Sequence, residues 1–328
     1  FTDRGGNSSI LWPYNEGALV TNIDSREKNE EFEPKEPEYP SRGAYAMYPG
    51  MVFAPFMAVM SDNGGLYFAA HDTEPNTRNV DFFRTENGIQ LKLRLFPGIE
   101  GGYYKTTGET VLGVFDGDWY TAAEIYRSRY SEVKPFRLQP LSETTDLPEW
   151  YYDSPIVLTY CVRGHYDTDK MEPNKLFPYI NGLDVVEKMA KQLQSRIMVV
   201  LMHWEGSAPW APPYVWPPYG GEAALKEYAD ALHERGHILG VYCSGFGWTQ
   251  TSNVYNYNKE AEFEQKNLKE VMCLSPNGEL PLSNICNDQR YGYDLCPAHP
   301  FCYDTMVKEA SSMAAVGIDY AQMLDQNH

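Results

Sequence analysis

Four stretches decide the fold: Pro155-Ile-Val-Leu-Thr-Tyr-Cys-Val162, Arg196-Ile-Met-Val-Val-Leu-Met-His-Trp204, His237-Ile-Leu-Gly-Val-Tyr-Cys243 and Gly317-Ile-Asp-Tyr-Ala-Gln-Met-Leu-Asp325. Each reads as a strand. The first is a continuous apolar run, as expected for a parallel strand buried on both faces. Between them apolar residues recur at helical spacing: Val186, Met189, Ala190 and Leu193, then Leu225, Tyr228, Ala229 and Leu232, then Met306, Ala310 and Met313. After the third strand comes a long loop with some helix around 259–272. Alternating strands and helices give a parallel sheet.

Two parallel architectures compete. A doubly wound nucleotide-binding sheet carries a Gly-rich turn after its first strand. Here Val162 is followed by Arg-Gly-His-Tyr-Asp-Thr, with no GxGxxG. Long loops follow the first three strands, on the side where a (β/α)8 barrel keeps its site. The expectation is therefore a TIM-type barrel of which residues 151–328 hold about the first four βα units. The remaining units are expected beyond the residues given.

Toward the N-terminus the rhythm changes. Met51–Met60, Gly65–Ala70 and Ile89–Leu95 are short apolar runs separated by turn signals. Asp62-Asn-Gly-Gly65 is a hairpin signal, because Asn-Gly tolerates positive φ. Residues 1–115 are read as an antiparallel β-sandwich, with 24–42 as an exposed loop. Asp118 then caps a helix whose apolar face is Trp119, Ala122, Ala123 and Tyr126. This helix and a proline-punctuated linker fill 116–150. The fold class is thus α+β multidomain, a sandwich followed by a half-barrel.

The net charge is -18. There is no basic stripe to neutralise phosphates, so nucleic acid is excluded as a partner. No apolar stretch reaches the ~20 residues of a membrane span. No signal peptide is visible after Phe1, yet a secreted setting, extracellular or periplasmic, is the expectation. The 25 Tyr, 14 Phe and 7 Trp offer flat faces on which sugar rings stack. None of the six cysteines shows CxxC zinc spacing, and no cofactor or metal is expected. Cys161 and Cys243 lie inside strands as buried free thiols. Cys273, Cys286, Cys296 and Cys302 crowd into one stretch where one or two disulfides fit a secreted protein.

Parallel strands aim their C-terminal ends at the active site. Strand one ends at Arg163 and His165, with Asp167 and Asp169 beyond; strand two ends at His203, Trp204 and Glu205; strand three at Ser244 to Trp248; strand four at Asp325 and Gln326. There is no GxSxG elbow, HExxH or P-loop, so carboxylates at strand ends carry the chemistry. Asp325 follows a rigid apolar run and is the candidate catalytic carboxylate; an Asp capping the next helix is the alternative. Glu205 is the second carboxylate candidate, read in preference as a substrate-hydroxyl acceptor or a salt-bridge partner for Arg163. His203 reads as a hydrogen-bonding or core histidine. Asp319, at the other end of strand four, reads as a structural contact. The loop from Trp204 to Tyr219 holds five prolines and five large aromatics. Trp204 and Trp210 are expected to face a sugar and Trp216 to pack; Trp248 joins the binding set.

Gly64–Asp72, Asp118–Tyr130, His203-Trp-Glu-Gly206, Leu295-Cys-Pro-Ala298 and Gly317–Gln326, in this order, resemble the clan of α-glycosidases that includes glycoside hydrolase families 31, 36 and 101. The chain is more closely similar to a group of uncharacterised bacterial glycosidase-like proteins. The resemblance implies a retaining α-glycosidase acting on α-galactosides or α-N-acetylgalactosaminides. It places the nucleophile at Asp325, at the end of barrel strand four, and the acid/base beyond that strand. The family 36 pattern Gly-x-Asp-Tyr-x-x-x-Asp is one residue shorter before its last Asp than the sequence here. A non-catalytic carbohydrate-binding protein on the same scaffold is the second reading. An oxidoreductase on an open sheet is disfavoured by the missing phosphate-binding turn.

Overall fold

The computed structural model describes residues 8–21, 47–62, 64–74, 76–85, 88–95, 105–133, 139–166, 170–209, 211–274, 278–285 and 290–323. It divides into two compact units, Phe1–Thr145 and Asp146–His328.

The first unit contains β1 (Ser9–Trp12), β2 (Ala18–Val20), β3 (Met47–Tyr48), β4 (Phe56–Ser61), β5 (Gly64–His71), β6 (Arg78–Thr85), β7 (Gly88–Leu95), β8 (Glu109–Phe115) and helix α1 (Trp119–Val133). The strands form two antiparallel sheets, ordered β2-β1-β4-β5-β8 and β3-β6-β7. β4 and β5 make the expected hairpin, pairing Ser61 with Gly64. Alternation along β4 serves two cores. Met57 and Val59 join Val80 and Ile89 of the other sheet, and Trp12 Nε1 donates to the Val80 carbonyl at 2.8 Å. Phe56 and Ala58 instead pack with Tyr67, Ala69 and Ala122 of α1. Asp118 caps α1 as expected, its Oδ1 accepting from Tyr120 N at 2.9 Å. Trp119, expected on the buried face, is 46% exposed. The stripe that packs runs through Ala122, Ala123, Ile125 and Tyr126. The loop expected at 24–42 lies outside the described residues.

The second unit runs α2 (Glu149–Tyr152), β9 (Ile156–Cys161), α3 (Leu183–Leu193), β10 (Ile197–Met202), α4 (Glu222–His233), β11 (Ile238–Tyr242), β12 (Gly247–Ser252), α5 (Glu260–Gln265), β13 (Ser283–Ile285), β14 (Arg290–Asp294), α6 (Pro300–Ala315) and β15 (Tyr320–Gln322). Strands β9, β10, β11 and β15 lie side by side in that order, all parallel. Helices α3, α4 and α6 pack on one face of this sheet. Val186, Leu225, Tyr228, Ala229, Leu232 and Met313 meet Ile197, Val199, Leu201, Leu239 and Val241 there. The other face carries a smaller cluster, Met198, Val200 and Ile238 with Trp150, Tyr242 and Tyr320.

Two expectations are corrected. β9 is not buried on both faces: Val157, on the side away from the helices, is 53% exposed. Helices α3, α4 and α6 cover one face, and the opposing cluster, which Trp150 of α2 joins, centres on β10 and β11. The stretch after β11 is more than a loop with some helix. β12, β14 and β13 form an antiparallel sheet over a core of Trp248, Phe263, Leu268, Val271, Met272 and Leu295. Cys161, Cys243, Cys273, Cys296 and Cys302 are free thiols; Cys286 lies outside the described residues. Among the described residues no helix is long and apolar enough to cross a membrane.

Candidate active site at the parallel strand ends

The C-terminal ends of β9, β10 and β11 are each followed by left-handed backbone: Gly164 (φ 57°), His203 (φ 56°), and Ser244 (φ 46°) with Gly245 (φ 77°). Such conformations cost free energy in residues with a Cβ and persist only where surrounding contacts over-determine them. His203 and Ser244 are both buried.

His203 is held by Arg163, which is 0% exposed. Its Nε donates to the His203 carbonyl at 2.7 Å, and its Nη2 donates to the Glu205 carbonyl. His203 Nδ1 donates back to the Arg163 carbonyl at 2.8 Å, which fixes that ring nitrogen as the protonated one. The guanidinium lies over the Tyr219 ring, 4.3 Å from its centroid, and 5.4 Å from that of Tyr255. The Tyr255 hydroxyl donates to the Met171 carbonyl at 2.8 Å. Asn174 Nδ2 donates to the carbonyls of Cys161 and Gly164, at 2.8 and 2.9 Å, and so shapes the loop after β9. Among the described residues Arg163 Nη1 and Ser244 Oγ are buried without a hydrogen-bond partner. Two unused polar groups, at the ends of the strands on either side of β10, are capacity for a polar ligand or ordered water.

The aromatic loop after β10 is held from several sides. Tyr219 N donates to the Trp204 carbonyl at 2.7 Å, and Thr249 N to the Pro212 carbonyl at 2.8 Å. The Tyr179 hydroxyl donates to the Tyr219 carbonyl at 2.7 Å. Glu309 of α6 accepts from Val215 N at 2.9 Å and Trp216 N at 2.8 Å. Burial raises the Glu309 carboxyl, opposed by these two N–H groups.

Each expected site residue has a place in this frame or lies outside the described residues. Arg163, His203 and Glu205 come together; the Glu205 side chain is 0% exposed and its charge acts on Cys243 and Tyr179. His165 is exposed just beyond. Trp204 does not present a free ring: it is 0% exposed, its Nε1 donates to the Tyr242 carbonyl at 2.7 Å, and its indole packs in the helix-side core. Trp248 is 1% exposed, packed with Tyr214 and Phe263. As placed, both indoles build the rim rather than offer a stacking face, because an apolar ring with core neighbours gains more by burial than at a wet surface. Asp325, Gln326, Trp210, Asp167 and Asp169 lie outside the described residues. Asp319 makes the structural contact expected of it, accepting from Leu239 N at 2.9 Å and pairing with His233 at 2.8 Å.

Sequence reading missed Tyr219, Tyr255 and Glu309. The two tyrosines carried no signal among 25. Glu309 did: it interrupts the helical stretch marked by Met306, Ala310 and Met313, where a carboxylate needs a buried partner. Among the described residues no cluster of three His, Cys, Asp or Glu could hold a metal ion.

An α-N-acetylgalactosaminidase from Bifidobacterium bifidum has a similar fold, with a TM-score of 0.68 at 16% identity, covering 98% of this chain and 52% of that one. An α-galactosidase from Thermus thermophilus matches with a TM-score of 0.52 at 13% identity, covering 97% of this chain and 55% of that one. The chain spans about half the length of these structures. No curated protein sequence matches. Residues 104–323 match the family described as Domain of unknown function (DUF6259), and the chain belongs to that family.

Proposed function

We propose that this chain is part of a glycoside hydrolase: an antiparallel β-sandwich followed by the first four βα units of a (β/α)8 barrel. One observation carries the reading. Three crossover helices lie on a single face of a parallel sheet whose strands follow chain order, as in a barrel wall, whereas a doubly wound sheet has helices on both faces. Buried polar groups then converge at the C-terminal strand ends, where a barrel enzyme works. The likeness in fold to an α-N-acetylgalactosaminidase and an α-galactosidase supports a sugar substrate.

The enzyme is a retaining α-glycosidase for α-galactosides or α-N-acetylgalactosaminides. Asp325 attacks the anomeric carbon, while a second carboxyl group from later in the barrel protonates the leaving oxygen. Water then releases the sugar with its anomeric configuration retained. Arg163 and His203 hold the strand ends in register beneath the substrate. Ser244 Oγ and Arg163 Nη1 supply hydrogen-bonding capacity beneath it, and His165 with Gln326 binds sugar hydroxyls.

The test is a panel of aryl α- and β-glycosides offered to the full-length protein. Hydrolysis of the α-galactoside or α-N-acetylgalactosaminide, with the α anomer released first by NMR, is expected. Binding of sugar without turnover of any substrate would turn the assignment to a carbohydrate-binding protein.

A further inference from the structure

Three thiols gather beside the β12–β14–β13 sheet. Met272 and Leu295 pair as an antiparallel bridge. It is flanked by Cys273 N donating to the Asp294 carbonyl at 2.8 Å and Cys296 N donating to the Val271 carbonyl at 2.9 Å. Side chains alternate across such a pairing. Met272 and Leu295 both enter the apolar core. Cys273 and Cys296, one step further along each segment, therefore share the opposite face as diagonal neighbours. Cys273 is exposed, Cys296 half-buried and Cys302 buried. Burial, and then the Cys296 thiol, raise Cys273; burial and Cys296 likewise raise Cys302. Cys296 is thus the central thiol, with one exposed neighbour and one in the core.

We propose that Cys273 and Cys296 are an oxidisable pair that closes to a disulfide on meeting a small-molecule disulfide. The bond ties the end of the 3-10 turn Leu268–Val271 to the segment that leads into α6. Cys302 belongs to the apolar core, where an incoming oxidant does not reach. Diagonal neighbours stand ~7–8 Å apart between Cα atoms and a disulfide spans at most ~6.8 Å, so closure draws the two segments together by about 1 Å. Both are short connections rather than long strands, which lets them move.

The exchange runs in two balanced steps. The Cys273 thiolate attacks one sulfur of glutathione disulfide; that S–S bond breaks, and one glutathione leaves and takes up the Cys273 proton. The Cys296 thiolate then attacks the Cys273 sulfur, forming the protein disulfide and expelling the second glutathione, which takes up the Cys296 proton. Two protein thiols lose two electrons, and one glutathione disulfide becomes two thiols.

The test is incubation of the full-length protein with glutathione disulfide at about pH 8.5, near the ordinary thiol pKa. Non-reducing digestion and mass spectrometry then map the bonds. The proposal expects a Cys273–Cys296 cross-linked peptide, kept in Cys302→Ser. In Cys296→Ser it is replaced by a stable glutathione adduct on Cys273. Oxidation should also raise Tm by several degrees, because the bond restricts the unfolded chain. A cross-link from either cysteine to Cys286 or Cys302, or glutathione on both without a cross-link, overturns it.

Discussion

The two ends of the parallel sheet handle charge in opposite ways. At the N-terminal end Asp319 pairs with His233, with side chains 28% and 38% exposed, and Glu187 meets His237 with its own carboxylate half in water. At the C-terminal end Arg163 and Glu205 are fully buried, and the backbone around them is left-handed at His203 and Ser244. Wet ion pairs hold little free energy, typically below ~1 kcal/mol. Buried charges with fixed partners are strained capital that a fold keeps where it needs fixed polar groups. The contrast singles out the C-terminal strand ends as the candidate site without reference to any catalytic residue.

The comparison breaks most visibly at Arg163. Arg163→Met leaves the buried His203 and Glu205 carbonyls without their guanidinium donors. It should cost about 2–4 kcal/mol in urea unfolding, at roughly 1–3 kcal/mol for each buried polar group left unsatisfied. A loss below 1 kcal/mol would place Arg163 with the ordinary surface charges.

A buried carboxylate outside the site sharpens the point. In the first unit burial raises Asp81 to about 6, against one N–H from Phe82 and the charges of Arg94 and Lys92. A carboxyl raised above its unfolded value favours folding most below that unfolded value. The contribution is lost as pH rises through the folded one, here between about 4 and 6. Asp81→Asn keeps an acceptor for Phe82 N. It should match the wild type at pH 4 and exceed it by up to about 3 kcal/mol at pH 7.5, at roughly 1.4 kcal/mol per pKa unit. Equal stability at both pH values would show that Asp81 ionises freely when folded.

Glu309 tests how the aromatic loop is held. Glu309→Ala strands one buried and one half-buried N–H group and should cost about 2–3 kcal/mol, whereas Glu309→Gln, which still accepts, should lose about half of that. Under the proposed function Glu309→Gln should also raise KM more than it lowers kcat. At the other end of the sheet, Asp319→Asn retains an acceptor for Leu239 N and weakens only the half-exposed contact with His233, so at most ~1 kcal/mol is expected. A larger loss there than at Arg163 would invert the comparison.

Much of the second unit was legible from apolar period alone. Leu225, Tyr228, Ala229 and Leu232 are all buried on α4, and β10 and β11 fall inside the runs quoted for them. Where burial depends on a neighbouring layer, period is silent: β9 reads like β10, yet its Val157 has no cover. β12 and β14 carry Gly, Thr, Gln, Tyr and Asp in place of an apolar run, so strand pairing rather than composition defines them. At the site, strand-end position was enough to bring Arg163, His203 and Glu205 together. It was not enough to separate a Trp that faces a ligand from one that closes a core, because both are large aromatics on a rim loop. Trp204 and Trp248 are of the second kind.

Everything at the strand ends is proposed to serve Asp325, and the most direct measurement is on that residue. Wild-type and Asp325→Asn full-length protein should be compared on an aryl α-galactoside and an aryl α-N-acetylgalactosaminide, with folding checked by thermal unfolding. The account predicts turnover reduced more than about a thousandfold with Tm unchanged. It also predicts partial recovery of Asp325→Ala in azide, giving the β-glycosyl azide as the small anion enters the space left by the missing carboxylate and the aryl oxide leaves. A folded Asp325→Asn protein that turns over substrate like the wild type would contradict it.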